Sequence, residues 1–291
     1  MSELNNLTDL GYVRRLCEKH GFVLSKQFGQ NFIVNPGICP KMAEAAGLNE
    51  GWGALEVGPG IGVLTKELAL RADKVVTVEI DRRLPPLLEE SLAGLDNIRL
   101  VMGDVLELDL HALIAEEFAG KKVAVCANLP YYITSPILMK LLEDRLPVES
   151  ITVMVQKEAA ERICAAPGTR EAGAISLAVR YYATPQVLFS VSPGSFTPPP
   201  KVTSAVIKLT LHGTPPVQPR EEKRMFRIIR AAFSQRRKTA VNGICSGMSL
   251  PKDKVQEAFA AANLPPMARP EQMTLEDFCA LEHAFAEAGL C

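Results

Sequence analysis

Between Gly53 and Leu211 the chain alternates short apolar runs with segments whose apolar residues recur every three to four positions. The runs at 53–57, 74–80, 98–102, 123–127, 151–155, 187–191 and 205–211 have strand length, and uninterrupted apolar runs bounded by turn residues read as strands buried on both faces. The segments between them carry helical spacing, as at Val63, Leu64, Leu68 and Ala69, and again from Ile175 to Tyr182. Seven strands alternating with helices predict a doubly wound, mostly parallel α/β sheet. Upstream, Leu7, Leu10, Val13 and Leu16 fall on one side of a helix predicted from Leu4 to His20 and ended by Gly21. Downstream, Gly213-Thr214-Pro215-Pro216 reads as a linker, after which the strand pattern stops. Helices are predicted there from Glu221 to Phe233, Arg237 to Cys245, Lys252 to Ala262 and Leu275 to Ala288. The expected organisation is a catalytic domain over 1–213 and a small all-α domain over 214–291.

Four successive strand ends carry glycine or polar groups. The first run leads into Glu56-Val57-Gly58-Pro59-Gly60-Ile61-Gly62, a glycine-rich turn before a helix. The second delivers Glu79 and Asp81 about 20 residues past the glycines, the spacing at which a strand-end acid meets a ribose diol. The third ends at Gly103-Asp104 and the fourth at Asn128. Ligands of open α/β sheets bind at such carboxyl ends. A dinucleotide would bring its pyrophosphate to backbone donors at the helix start, whereas here Pro59 removes one donor and Glu56 adds an anion. A cationic nucleoside fits better, and S-adenosylmethionine, a sulfonium without phosphate, is the expected cofactor. Glu79 would hold its ribose and Asp104 its adenine amine.

The fourth strand continues as Asn128-Leu129-Pro130-Tyr131-Tyr132. The Asn128 side chain and the Leu129 carbonyl can both accept from the exocyclic amine of a flat ring, and Tyr131 can stack on its face. Such an amine is a weak nucleophile because its lone pair is delocalised, and two acceptors on its hydrogens let the nitrogen pyramidalise and attack. Taken alone, the stretch reads equally as a strand ending in an Asn-x-Pro turn with aromatics packed as core.

Composition bounds the rest. With 291 residues, 47% of them hydrophobic, the chain can bury a substantial core, and a formal net charge of −1 neither marks nor excludes a nucleic-acid partner. Local charge matters more. Arg220, Lys223, Arg224, Arg227, Arg230, Arg236, Arg237 and Lys238 cluster within a short span, interleaved with Phe226 and Phe233. One-sided basic clustering is the footprint of nucleic-acid binding, although a solvated helix face has the same composition. Arg14, Arg15, Lys19 and Lys26 are expected to extend the basic surface. The seven cysteines form no Cys-x-x-Cys pair, so neither structural disulfides nor a zinc site is expected. His20, His111, His212 and His283 accompany no serine or cysteine elbow, which argues against a nucleophilic hydrolase. No secretory signal or membrane span is apparent, and a cytoplasmic monomer is expected.

Several motifs in this order carry a family resemblance. They are Gly29-Gln30-Asn31-Phe32-Ile33, the glycine turn with Glu56, Glu79-Ile80-Asp81, Gly103-Asp104, Asn128-Leu129-Pro130-Tyr131, Phe196-Thr197-Pro198-Pro199-Pro200-Lys201-Val202-Thr203-Ser204-Ala205-Val206, and Ala232-Phe233-Ser234-Gln235-Arg236-Arg237-Lys238-Thr239. Nearly end to end, the chain resembles the ribosomal RNA adenine N6-dimethyltransferase family, and most closely its bacterial small-subunit members. The resemblance implies a Rossmann-like class I methyltransferase domain with a helical domain that recognises ribosomal RNA. The implied reaction is dimethylation of two adjacent adenosines near the 3′ end of 16S RNA during small-subunit biogenesis, with S-adenosylmethionine as donor and no metal. Asn31 and Ile33 would close over the cofactor, and Gly58, Glu79, Asp104 and Asn128 would complete its contacts. The catalytic set would be Asn128, Leu129, Pro130, Tyr131 and Phe196, with Phe196 facing Tyr131 across the target base. Two departures are mild: the family usually has leucine at Ile33, and often an acid at Asn35.

Overall fold

The structure is a computed structural model that describes residues 6–23, 30–235 and 237–290. Helix α1 (Leu10–Lys19) begins where Asp9 accepts a hydrogen bond from the Tyr12 amide at 2.6 Å, an N-cap that sets the helix start. It is therefore shorter than the leucine spacing predicts. Leu7 precedes it yet is buried, while Leu10 is 44% exposed; the predicted start at Leu4 lies outside the described residues. A two-residue strand, β1 (Phe32–Ile33), and helix α2 (Ile38–Ala46) follow. The spacing of Cys39, Met42, Ala43 and Ala46, all buried on α2, had escaped the sequence reading.

The next elements are β2 (Trp52–Val57), α3 (Val63–Ala69), β3 (Lys74–Glu79), α4 (Pro85–Ser91), β4 (Ile98–Met102), α5 (Leu110–Phe118), β5 (Lys122–Asn128), α6 (Thr134–Glu143), β6 (Ser150–Gln156) and α7 (Lys157–Cys164). Helix α8 (Ala174–Tyr182), β7 (Ala183–Val191), the short β8 (Phe196–Thr197) and β9 (Ser204–Leu211) complete this part of the chain. The seven-stranded sheet has the order β4-β3-β2-β5-β6-β9-β7, as expected for a doubly wound fold. Strands β4, β3, β2, β5 and β6 run parallel, and β9 pairs antiparallel with β6, with Ser204 opposite Gln156. Burial on both faces explains the apolar runs: Ala54, Leu55, Val75, Val76, Ala124 and Val125 are fully buried. The chain reverses between β2 and β5, which puts a crevice outside their carboxyl ends. A separate antiparallel pair joins β1 to β8, matching Phe32 with Thr197 and Ile33 with Phe196.

The remaining helices are α9 (Glu222–Ala232), α10 (Ala240–Met248), α11 (Lys252–Ala261) and α12 (Leu275–Glu287). Helix α10 starts later than expected because the Thr239 hydroxyl caps it, accepting from the Asn242 amide. The chain forms two compact units, Met1–Ala160 with Gln186–Leu211, and Glu161–Pro185 with His212–Cys291. The second unit takes in 161–185, a stretch that the linker had assigned to the first domain. The reason is local: the Tyr181 and Tyr182 hydroxyls both donate to Glu222, at 3.0 and 2.6 Å, and both rings pack on Phe226.

Candidate active site

The glycine turn after β2 forms the floor of a cleft. Gly58 has φ 72°, a left-handed conformation suited to glycine, and its amide donates to the Val78 carbonyl at 2.9 Å. A Cβ built on Gly58 would meet no atom within 4 Å, so the backbone faces open space there. Gly62 is required for two reasons: its φ is 89°, and a Cβ would lie 2.8 Å from the Leu92 side chain.

Beneath the turn, Glu56 is 1% exposed and accepts from the Thr65 hydroxyl at 2.6 Å. Burial pushes its carboxyl up to about 7 despite that bond. Glu79, also buried, ends β3 and accepts from the backbone amides of Ile80 and Asp81 at 2.8 and 2.7 Å. Burial again raises the carboxyl, partly offset by those two bonds. Asp104 accepts from the Leu106 amide at 2.9 Å, a turn that fixes its side chain after β4.

On the other wall, Leu129 is buried and its amide donates to the Met154 carbonyl at 3.1 Å. The acceptors named from the sequence remain available: among the described residues nothing hydrogen-bonds to the Asn128 side chain or donates to the Leu129 carbonyl. Tyr131 opens a turn of 3-10 helix, and its hydroxyl shares a 2.5 Å hydrogen bond with the Ser204 hydroxyl on β9. Burial raises the Tyr131 pKa, and the Ser204 bond offsets part of that.

One cleft gathers nine of the ten residues singled out from the sequence: Asn31, Ile33, Gly58, Glu79, Asp104, Asn128, Leu129, Pro130 and Tyr131. Phe196, the tenth, is 3% exposed and paired with Ile33 of the cleft in the β1–β8 ladder. Sequence reasoning gave no role to Ser204 or Gln30. Gln30 lines the cleft and donates to Asp81 at 2.9 Å, and only the motif containing it hinted at this.

The basic stretch also divides. Arg224 donates to Glu282, which has no exposure, at 2.5 Å, and Arg220 reaches Glu287 at 2.5 Å. The buried Arg224–Glu282 pair ties α9 to α12, whereas the Arg220–Glu287 pair lies at the surface. Phe226 is buried under the tyrosines, so it is core. Lys223, Arg227 and Arg230 share an exposed face of α9, spaced so that they neighbour one another, and Arg237 and Lys238 are exposed beyond it. Arg236 and Lys26 lie outside the described residues. Among the described residues no cluster of three or more acids, histidines or cysteines could hold a metal, and no helix is long and apolar enough to cross a membrane.

Comparison with known proteins agrees with the geometry. Residues 21–287 match the family described as Ribosomal RNA adenine dimethylase. The chain is 44% identical over 275 residues to Ribosomal RNA small subunit methyltransferase A of Alkaliphilus oremlandii, covering 94% of this chain and 96% of that one. It is 46% identical over 275 residues to the protein of the same name from Lysinibacillus sphaericus, covering 93% and 94%. Among solved structures, a dimethyladenosine transferase from Plasmodium falciparum matches with a TM-score of 0.74 at 26% identity, over 88% of this chain and 98% of that one. The 23S rRNA methyltransferase ErmE matches with a TM-score of 0.64 at 27% identity, over 88% and 100%. The sheet order, the cleft at its strand ends and the end-to-end match to these relatives lead to one conclusion: the chain belongs to the ribosomal RNA adenine dimethylase family.

Proposed function

We propose that the protein transfers methyl groups from S-adenosylmethionine to the N6 amines of two adjacent adenosines near the 3′ end of 16S ribosomal RNA, on the small subunit or its precursor. The charge of the cleft carries this reading. Among the described residues lining it there is no lysine, arginine or histidine, while Glu56, Glu79 and Asp104 are present. Such a lining repels a pyrophosphate and suits a sulfonium cofactor. The open space over Gly58 lets the ligand approach the backbone closely. Glu79 would accept from the ribose hydroxyls, Asp104 from the adenine amine, and Asn31 and Ile33 would cover the ligand.

When bound, the cofactor supplies an electrophilic methyl group. The chain supplies alignment. Asn128 and the Leu129 carbonyl accept the hydrogens of the target amine and turn its lone pair toward that methyl, and holding reactants in line supplies much of the rate. The adenosine must leave its stack first, which costs a few kcal/mol; stacking on Tyr131 offsets part of that cost. The amine proton passes to water. Lys223, Arg227, Arg230, Arg237 and Lys238 are the residues we assign to RNA phosphates.

The test is methyl transfer to purified small subunits that lack the modification, followed by mapping of the methylated adenines. Dimethylation of two neighbouring adenosines near the 3′ end is expected, and absence of transfer overturns the reading. The similarity to ErmE favours a second reading, methylation of large-subunit RNA. The identity to small-subunit enzymes is higher and spans nearly the whole chain, and the same mapping on large subunits separates the two.

A further inference from the structure

We propose that Ser204 is a positioning residue for methyl transfer: by holding the Tyr131 hydroxyl, it fixes the ring on which the target base stacks. This rests on the proposed function, since it takes Tyr131 to be the base platform. Ser204 is the first residue of β9 and has no exposure. Among the described residues its hydroxyl bonds only to Tyr131. A buried hydroxyl without a partner is costly, so an alanine would serve the sheet equally well if packing were the only requirement at this position.

The geometry makes the tether effective. Strand β6 lies between β5 and β9, with Met154 opposite Asn128 and Gln156 opposite Ser204. The Leu129 amide donates to the Met154 carbonyl at 3.1 Å, which anchors the backbone just before Tyr131. The Ile133 amide and the Thr134 hydroxyl both donate to the Pro130 carbonyl, at 3.2 and 3.1 Å, which anchors the turn around it. The phenol end is held separately, two residues further along β6, through Ser204. Pinned at both ends, the ring has its long axis held in place relative to the sheet. A base stacked on it inherits that placement relative to the Asn128 and Leu129 acceptors, and a misplacement of about 1 Å can cost up to about a hundredfold in rate. The bond assigned to the hydroxyl is the one to Ser204, and it is given no part in proton transfer.

The experiment measures single-turnover methyl transfer to unmethylated small subunits at saturating S-adenosylmethionine, alongside subunit affinity, pH–rate profile and thermal melting. Tyr131→Phe and Ser204→Ala are each expected to slow transfer about fivefold, the rate equivalent of one ordinary hydrogen bond. Affinity should stay within about twofold because the ring can still stack, and the double variant should be no slower than either single one. The pH–rate profile should keep its shape. Parental rates in both single variants, multiplied losses in the double, or a changed pH profile in Tyr131→Phe would each overturn the proposal. If Ser204→Ala does not fold, Tyr131→Phe alone decides by rate, affinity and pH profile. Tyr131→Ala separates this proposal from the reading beneath it: a parental rate there refutes the platform itself, whereas loss of transfer there with parental rates in the other two variants refutes only the tether.

Discussion

The side-chain amide of Gln30 donates to Asp81 at 2.9 Å and joins the segment ahead of β1 to the end of β3, 51 positions away in sequence. Arg83 completes the junction. Its guanidinium donates to both Asp81 oxygens, at 2.8 and 2.7 Å, and to the Val23 carbonyl at 3.2 Å, and lies 4.9 Å over the Phe22 ring. Asp81 therefore holds the segment that carries Asn31 and Ile33 against the cleft. Asp81→Asn is expected to weaken cofactor binding and to lower stability by about 1–2 kcal/mol, the scale of a charged hydrogen bond with a half-exposed partner. Arg83 keeps the folded-state carboxyl below its ordinary value, so this stability is present at neutral pH and is lost as pH falls through the folded pKa. Melting curves of parent and variant that differ at pH 7 and converge in strong acid are the expected result.

Glu79→Ala should weaken S-adenosylmethionine binding by about 1–3 kcal/mol, the range for hydrogen bonds to a charged group. RNA affinity should hardly change. Because Glu79 also accepts the Ile80 and Asp81 amides, the variant should melt earlier as well. Calorimetric titration that finds parental cofactor affinity in a folded variant removes Glu79 from the site.

Asn128→Ala should reduce the single-turnover rate more than about tenfold at saturating RNA, because an acceptor for the reacting amine is lost in the transition state. A rate near that of the parent would take Asn128 out of the chemistry.

Glu56 predicts a pH dependence. Its folded-state pKa, about 7, lies above that of an exposed glutamate, so the folded state binds the extra proton. Stability is greatest below the unfolded value and declines as pH rises through the folded value, by on the order of 3 kcal/mol in total. Glu56→Gln should remove that decline. A bound cation favours the ionised carboxylate, so S-adenosylmethionine should bind more tightly as pH rises through about 7 and displace protons. Calorimetry in buffers of different ionisation enthalpy measures the release, and an equal release in Glu56→Gln assigns it to another group.

The basic stretch yields opposite expectations for neighbouring residues. Arg224→Ala leaves Glu282, which has no exposure, without its guanidinium and held by the Arg220 and Glu221 amides, and should cost about 3 kcal/mol of stability, the lower end for breaking a buried pair. Reversing Lys223, Arg227 and Arg230 together should leave melting nearly unchanged, weaken binding to small subunits, and reduce the slope of log affinity against log salt by about one unit per lost phosphate contact. An unchanged slope would identify that face as merely solvated.

Much of this was legible in the sequence because parallel strands buried on both faces announce themselves as apolar runs, and because the glycines and acids sit at their ends. Gly58, Glu79, Asp104 and the Asn128–Tyr131 stretch meet in one cleft for that reason, whereas Asn31 and Ile33, which lie there too, were implied only by the family resemblance. What escaped depends on pairing between distant segments. Two-residue strands such as β1 and β8 have no periodicity, so the burial of Phe196 beside Ile33 could not be read. The same holds for Ser204, an ordinary polar residue at the start of a predicted strand until the sheet order brings it to Tyr131. Charge clustering could not distinguish Arg224, whose partner lies 58 positions away, from its solvated neighbours.

The place of β9 in the sheet bears on synthesis of the chain. Strand β6, with Ile151 to Val155 fully buried, has β5 on one side as soon as it is made, but its other side stays open until residues 204–211 follow. An unpaired apolar edge recruits other chains. A nascent polypeptide stalled between Gln156 and Ser204 should therefore be a chaperone client, and truncations ending there should aggregate.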